Sequence, residues 1–165
     1  PTQSSLIYEN AFSLVMSDLV SDDKDIIFSN NRNEFYSLNL VNGFLNWKQK
    51  INSSVRPIFY DQFIFTMSDE GYFFVIDGKT GNVIRITDIF KIFGKNKRGN
   101  IKPIGFVATL NKLILSTSNG RIIVIDIKDG KVESIFKIDN EKISRPFIFD
   151  NKIILVKNDS IIRLN

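Results

Sequence analysis

The residues best suited to binding chemistry lie in one basic segment, residues 91–102. The segment carries five cations and no anion, with apolar side chains between them. Lysine and arginine attract acidic protein surfaces, anionic lipids and nucleic acid. We therefore take Phe93, Lys95, Lys97 and Arg98 as candidate partner-binding residues. A solvated, flexible loop would have the same composition, so this reading stays open as the alternative.

A second set of residues has the types found in phosphate and metal sites. Three glycines each follow an Asn or Asp by four residues: Asn39 and Gly43, Asp77 and Gly81, Asp126 and Gly130. No helix is expected to begin at these glycines, so no helix dipole would face a phosphate. Calcium needs about six to eight oxygens gathered in one loop, whereas these acids occur once per repeat. Their expected role is to accept hydrogen bonds from turn backbone, and we predict no metal and no cofactor.

The 165-residue chain lacks two residue types that are common in catalytic sites. It has no Cys and no His, which excludes disulfides, thiolate nucleophiles and the commonest general base. We therefore predict no enzyme activity and no catalytic residues. The apolar fraction of 43% argues for a folded domain. We expect no nucleic-acid partner, because the net charge is only +4 and the aromatic residues fall in predicted strands.

The elements that position these residues form a repeat. Three segments align, each an apolar strand ending in Asn or Asp, three further residues, a Gly and a second strand: Phe35–Lys48, Phe73–Thr87 and Ile122–Phe136. A fourth copy, Ile161–Asn165, breaks off at the equivalent of the Asp. The marker Asn or Asp residues are 38, 49 and 39 residues apart. The repeat length is therefore about 40 residues, a spacing typical of propeller blades.

Two further features recur along the chain. Tight turns carry residues that tolerate positive φ: Asn33, Gly71, Gly120 and Asp159. A basic residue and a proline open the first strand in three units: Arg56-Pro57, Lys102-Pro103 and Arg145-Pro146. The middle strands are nearly continuous apolar runs, as expected of a sheet covered on both faces.

These patterns predict an all-β propeller of about four antiparallel blades with four strands each. The predicted blades span residues 12–49, 55–87, 102–138 and 144–165, with a basic insertion at 88–101. The last blade lacks its fourth strand, and we expect the whole to be half of a larger propeller. The halves of the chain differ in charge, with net −4 over residues 1–82 and net +8 over residues 83–165.

The repeat resembles the PQQ-like (pyrroloquinoline-quinone-type) propeller repeat, in which a strand is followed by Asp, three residues, Gly and then a Trp. Residues 38–43 with Trp47, and residues 75–81, carry the resemblance. The third unit keeps the Asp and Gly but has Phe136 and no Trp. The chain contains a single Trp where the family pattern expects one per blade, so the packing of the blades should depart from the pattern.

Within this repeat type, the order of features is most similar to the C-terminal half of the barrel-assembly lipoproteins of the BamB family. An inserted loop is followed by an intact blade and then a short final blade. The resemblance implies a non-catalytic periplasmic scaffold at the outer membrane, held there by a lipid anchor outside this chain. It also implies protein partners, namely the periplasmic domains of the barrel-forming subunit and unfolded barrel proteins. An open half-propeller adds self-association through its exposed face.

Two other functions stay open on the resemblance. The chain could be a fragment of a quinoprotein dehydrogenase, or a luminal or periplasmic propeller that senses a ligand or peptide. The dehydrogenases of the family hold their quinone with calcium, paired Cys and a Trp platform. Cys is absent here and Trp47 is alone, so we place no such site in this sequence.

Overall fold

A computed structural model describes residues 14–164 of the chain, which form 15 strands in four antiparallel sheets. We call the sheets blades 1 to 4. Blade 1 contains β1 (Val20–Ser21), β2 (Asp25–Asn30), β3 (Glu34–Asn39) and β4 (Leu45–Gln49). Blade 2 contains β5 (Ile58–Tyr60), β6 (Phe63–Met67), β7 (Tyr72–Asp77) and β8 (Val83–Asp88). Blade 3 contains β9 (Pro103–Ala108), β10 (Lys112–Thr117), β11 (Arg121–Asp126) and β12 (Val132–Lys137). Blade 4 contains β13 (Phe147–Phe149), β14 (Lys152–Lys157) and β15 (Ser160–Leu164).

Within each blade, every strand pairs with the next strand along the chain, so each blade is a meander. The all-β propeller prediction is confirmed, including a last blade of three strands. Between blades 2 and 3 lie a 3₁₀ turn (Phe90–Ile92) and one short helix, α1 (Lys95–Arg98). No helix within residues 14–164 is long and apolar enough to cross a membrane. The apolar residues 6–8 are a sequence-based candidate for a strand that returns to pair with blade 4. They lie outside the described residues.

The hairpin turns between the second and third strands of each blade have the predicted chemistry. All four turn residues adopt a left-handed backbone: Asn33 (φ 59°), Gly71 (φ 88°), Gly120 (φ 69°) and Asp159 (φ 62°). Glycine reaches this region without steric cost, and Asn and Asp tolerate it better than other residues with side chains. The turn residues therefore fix where each strand reverses.

The core consists of three apolar clusters, one at each contact between consecutive blades. The middle strands of blades 2 and 3 contribute to clusters on both of their faces. In β6, Ile64 packs against blade 1 while the adjacent Phe65 packs against blade 3, and both are almost fully buried. Successive side chains of a strand point to opposite faces. The continuous apolar runs in the sequence therefore reflect sheets that are covered on both sides.

A side chain on the fourth strand fastens each of the first two blades to the next. Trp47 donates its Nε1–H to the carbonyl oxygen of Gly78 in blade 2 at 2.9 Å. Arg85 occupies the same register position in blade 2, and its guanidinium donates to the carbonyl oxygen of Ile127 in blade 3. Gly78 and Ile127 are equivalent, since each follows the marker Asp. Arg85 thus makes the hydrogen bond that Trp makes in the preceding blade, which explains how blades 2 and 3 dock without a second Trp.

The glycines in the turns before β4 and β8 offer a way to measure how much the docking of Trp47 stabilises the fold. Gly43 and Gly81 have nearly the same φ, 72° and 73°, but a Cβ on Gly43 would meet no atom within 4 Å. A Cβ on Gly81 would lie 2.5 Å from the Trp47 ring. Gly43→Ala should therefore cost only the backbone strain, about 1–2 kcal/mol. Gly81→Ala should cost a further ~1–3 kcal/mol from overpacking.

The measurement is the free energy of unfolding in urea for the two variants and the parent. Gly43→Ala is the matched control, because it introduces the same side chain at the same backbone conformation. Equal losses for the two variants would show that Trp47 does not need Gly81 for its packing.

Candidate functional site

The inserted segment between blades 2 and 3 begins inside the core. Ile89 and Phe90 are fully buried, and their backbone N–H groups both donate to the carbonyl oxygen of Gly71. Phe90 lies so close to Gly71 that a Cβ there would fall 2.1 Å from the ring. The insertion is therefore anchored at its start by the hairpin turn of blade 2.

The candidate residue Phe93 lies at the edge of this anchor. It is half-buried, its ring meets Phe90 edge-to-face at 5.4 Å, and it packs against the cluster between blades 2 and 3. Much of its apolar surface is thus already used within the chain. A contribution of Phe93 to folding stability is expected alongside any contribution to binding.

The three candidate cations differ in their surroundings. Arg98 forms an ion pair with Asp88 (Nη1 to Oδ2, 2.7 Å), and its guanidinium lies 5.1 Å from the centre of the Tyr72 ring. The hydrogen bond to Asp88 raises the pKa of Arg98 above its ordinary value. Lys95 and Lys97 are exposed, and within residues 14–164 their ammonium groups make no hydrogen bond or ion pair. Of the three candidate cations, the two lysines are therefore the ones available to a partner.

The marker acids have the structural role predicted for them. Asp77 accepts hydrogen bonds on Oδ1 from the backbone N–H and the hydroxyl of Thr80, both at 2.7 Å. The hydroxyl contact is the main cause that lowers the pKa of Asp77. Asp126 accepts from the backbone N–H of Lys128 in the same way. Among residues 14–164, no three or more acidic side chains come together where they could hold a metal ion.

The first strands of all four blades line one central cavity of about 420 Å³. Its wall is mainly apolar, and β1, β5, β9 and β13 or the residues just before them contribute to it. Each of these strands enters a turn with two residues at its tip, at 23–24, 61–62, 110–111 and 150–151. Positions in the four strands can therefore be aligned by counting back from these turns.

This alignment identifies a ring of four equivalent residues: Asp18, Arg56, Gly105 and Arg145. All four line a second, smaller cavity of about 130 Å³, which shares Arg56, Phe106 and Arg145 with the central one. Arg145 forms an ion pair with Asp18 at 3.1 Å, a contact between the last and first blades. The third basic residue followed by proline, Lys102, is not part of this ring. The structure places it three residues before Gly105, which takes the equivalent position.

Sequence reasoning missed this ring because its members are far apart along the chain and differ in type. The repeated Arg-Pro dipeptide was a usable signal for Arg56 and Arg145. The register of the hairpin turns is the signal that identifies Asp18 and Gly105, and it needs the strand pairing to be known.

The two end blades each keep one apolar face that no cluster of the described residues covers. On blade 4 this face carries Phe147, Val156 and Ile161, which are 43%, 43% and 75% exposed. On blade 1 it carries Phe28 and Tyr36, whose rings stack at 5.2 Å.

An ion pair lies beside the stacked rings of blade 1. Lys48 contacts both Glu34 and the face of the Tyr36 ring. Hydrogen bonds from Asn30 and then from Lys48 lower the pKa of Glu34 to about 2. This carboxylate therefore stays ionised through the ordinary range of pH and leaves a charged border on an otherwise apolar face.

Comparison with known proteins gives one family. A family model described as outer membrane protein assembly factor BamB matches residues 3–87, just over half of the chain. A search of curated protein sequences finds no match.

Several solved structures share the fold. BamB from Moraxella catarrhalis superposes with a TM-score of 0.71 at 11% identity, covering 89% of this chain and 41% of that one. The computationally designed Ika4 protein gives 0.70 at 12% identity, covering 92% and 90%. The quinohemoprotein alcohol dehydrogenase ADHIIG from Pseudomonas putida HK5 gives 0.62 at 14% identity, covering 73% and 20%. The chain thus spans less than half of the length of the BamB structure that it matches.

Proposed function

Because this chain belongs to the family described as outer membrane protein assembly factor BamB, we propose that it is a non-catalytic periplasmic scaffold for the assembly of outer-membrane β-barrel proteins. The family match over residues 3–87 is the observation that carries the proposal. The propeller fold supports it, since a rigid array of sheets presents loops to partners. Its partners in this proposal are the periplasmic domains of the barrel-forming subunit and unfolded barrel proteins.

The proposed place of action is the periplasmic side of the outer membrane. The protein would be held there by a lipid anchor outside the 165 residues. Binding rather than chemistry is its task in this proposal, so no residue is assigned a catalytic role.

We propose the basic segment 91–102 as one docking element. Its base is fixed by Phe90 in the core, while Lys95 and Lys97 project from α1 without partners in the described chain. Exposed charges of this kind act through long-range attraction and mainly set association rate and salt dependence. Arg98 has a different role: because it forms an ion pair with Asp88, it fixes the position of the segment.

The first test is binding of the protein to the periplasmic domains of the barrel-forming subunit, measured by calorimetry at several salt concentrations. Replacing Lys95 and Lys97 together with Ser should weaken binding about three- to tenfold at low salt and reduce its salt dependence. Folding stability should change by less than ~0.5 kcal/mol, because both side chains are exposed.

The matched control replaces Lys137 and Lys142, two exposed lysines outside the segment, with Ser. It removes the same charge and should leave binding nearly unchanged. Absence of binding by the parent at tens of micromolar would contradict the proposed function. Equal losses in the two double variants would contradict the docking role of the segment alone.

Self-association through the open faces of blades 1 and 4 is a further part of the proposal. Ile161 on the free face of blade 4 is 75% exposed, and large exposed apolar patches mark interaction surfaces. Sedimentation equilibrium of the chain should show a species heavier than 18.9 kDa at concentrations of about 10–100 µM. Ile161→Asp should abolish it, because a charge would be buried without a partner.

Leu110→Asp provides the control for this experiment. Leu110 is 87% exposed at the tip of a turn in blade 3 and away from both end faces. Its replacement should leave the association unchanged. A monomer at every concentration, or equal effects of the two substitutions, would exclude the end faces as the interface.

A quinoprotein dehydrogenase is the second candidate, favoured by the structural match to ADHIIG. The residues described here do not fit a calcium-held quinone, since no three acidic side chains among them converge. We expect that adding pyrroloquinoline quinone and calcium gives neither a bound chromophore nor dye reduction with alcohols. The matched measurement omits calcium. Calcium-dependent dye reduction would instead establish the enzyme and displace the scaffold proposal.

A further inference from the structure

The ring of Asp18, Arg56, Gly105 and Arg145 contains one cation, Arg56, that has no ion-pair partner in the described chain. The guanidinium of Arg145 is compensated by Asp18 at 3.1 Å and also lies 4.9 Å from the centre of the Phe147 ring. The stem of Arg145 packs over Gly105, where a Cβ would fall 2.5 Å from the Arg145 Cβ. Because Gly105 has no side chain, the Arg145 stem can pass over it and reach Asp18.

Arg56 is the charged member of the ring that takes no part in the ion pair between Asp18 and Arg145. It lines both cavities, is exposed, and has no hydrogen-bond or ion-pair partner within residues 14–164. Of its equivalents, Asp18 is engaged by Arg145 and Gly105 has no side chain. Asp22, a carboxylate that also lines the central cavity, accepts the backbone N–H groups of Lys24 and Asp25 on its Oδ1, each at 2.7 Å, and forms no ion pair with Arg56.

The remainder of the central cavity suits an apolar body. Its wall includes the side chains of Pro57, Phe59, Phe106, Phe147 and Ile148. The volume of about 420 Å³ falls within the range of small-molecule sites, roughly 300–1,000 Å³. Such sites are typically apolar, with a few polar groups that fix the orientation of the ligand.

We propose that the central cavity binds a small apolar monocarboxylate, with the carboxylate on Arg56 and the apolar body against Phe59 and Phe106. A guanidinium pairs with a carboxylate through two parallel hydrogen bonds, a geometry that an ammonium group does not reproduce. The guanidinium of Arg56, which has no ion-pair partner in the described chain, attracts one anionic group, and the apolar wall favours an uncharged body. This site is separate from the docking segment 91–102, although its wall shares Phe147 with the free face of blade 4.

The test uses two probes that differ only in charge, 3-phenylpropionate and its neutral amide, 3-phenylpropanamide. Binding to the 165-residue chain is measured by calorimetry, and the site is located by nuclear magnetic resonance shifts of the residues that line the cavity. The acid should bind about tenfold more tightly than the amide, because a charge-assisted hydrogen bond is markedly stronger than a neutral one.

Three variants test whether the preference for the acid depends on Arg56. Arg56→Ala should bind acid and amide equally, while Arg56→Lys should retain part of the preference. Arg163→Ala is the matched control, since Arg163 is an exposed arginine outside the cavity lining, and it should behave as the parent. Urea unfolding of each variant checks that the fold is retained.

Several outcomes would overturn the proposal. These are failure of the parent to bind the acid, equal binding of acid and amide by the parent, and an unchanged preference in a folded Arg56→Ala variant. None of them bears on binding to the barrel-forming subunit, so failure here and failure of the scaffold proposal are distinguishable.

Discussion

The structure depends on one constraint: the sheets are apolar on both faces, so each blade must pack against a neighbour, and blades 2 and 3 are covered on both faces. Ile64 and Phe65, adjacent in β6, are buried in different clusters. Exposing either cluster would cost roughly 25 cal/mol for each Å² of apolar surface, so a single blade has little stability of its own. Contact between consecutive blades therefore stabilises the fold. Blades 1 and 4 each keep an uncovered face because each shares a cluster with only one other blade.

Close approach of the blades explains most of the residues whose types suggest ligand chemistry. Gly81 lies against the Trp47 ring, and Gly130 lies against Thr87, because the turn of one blade packs on the last strand of the blade before it. Asp77 uses its carboxylate to hold the turn that carries Gly81. These residues are therefore used for the packing of the blades and the shape of their turns. What is left for recognition is the insertion between blades 2 and 3, the lining of the central cavity and the uncovered faces of blades 1 and 4.

The sequence was sufficient for the features that repeat and insufficient for those that break the repeat. Turn residues such as Asn33 and Asp159 can be predicted, because positive φ restricts residue type locally. The docking role of Arg85 cannot be seen by matching residue types, since Arg and Trp share only an N–H donor. Burial of much of Phe93 depends on Phe90 and blade 2. The pair of Asp18 and Arg145 joins residues 127 apart, so only the folded arrangement of the first strands reveals it.

Comparison of the four units within the chain separates structural positions from sites of recognition. Residues of the second strands that pair with the first strands at equivalent positions are uniformly apolar: Ile27, Phe65, Ile114 and Ile154. The ring position varies instead from acid to arginine to glycine to arginine. Packing between blades tolerates this variation, because the ring faces the cavity and not a neighbouring sheet. Four like charges there would repel one another, whereas the observed set neutralises one arginine and leaves Arg56 free to act.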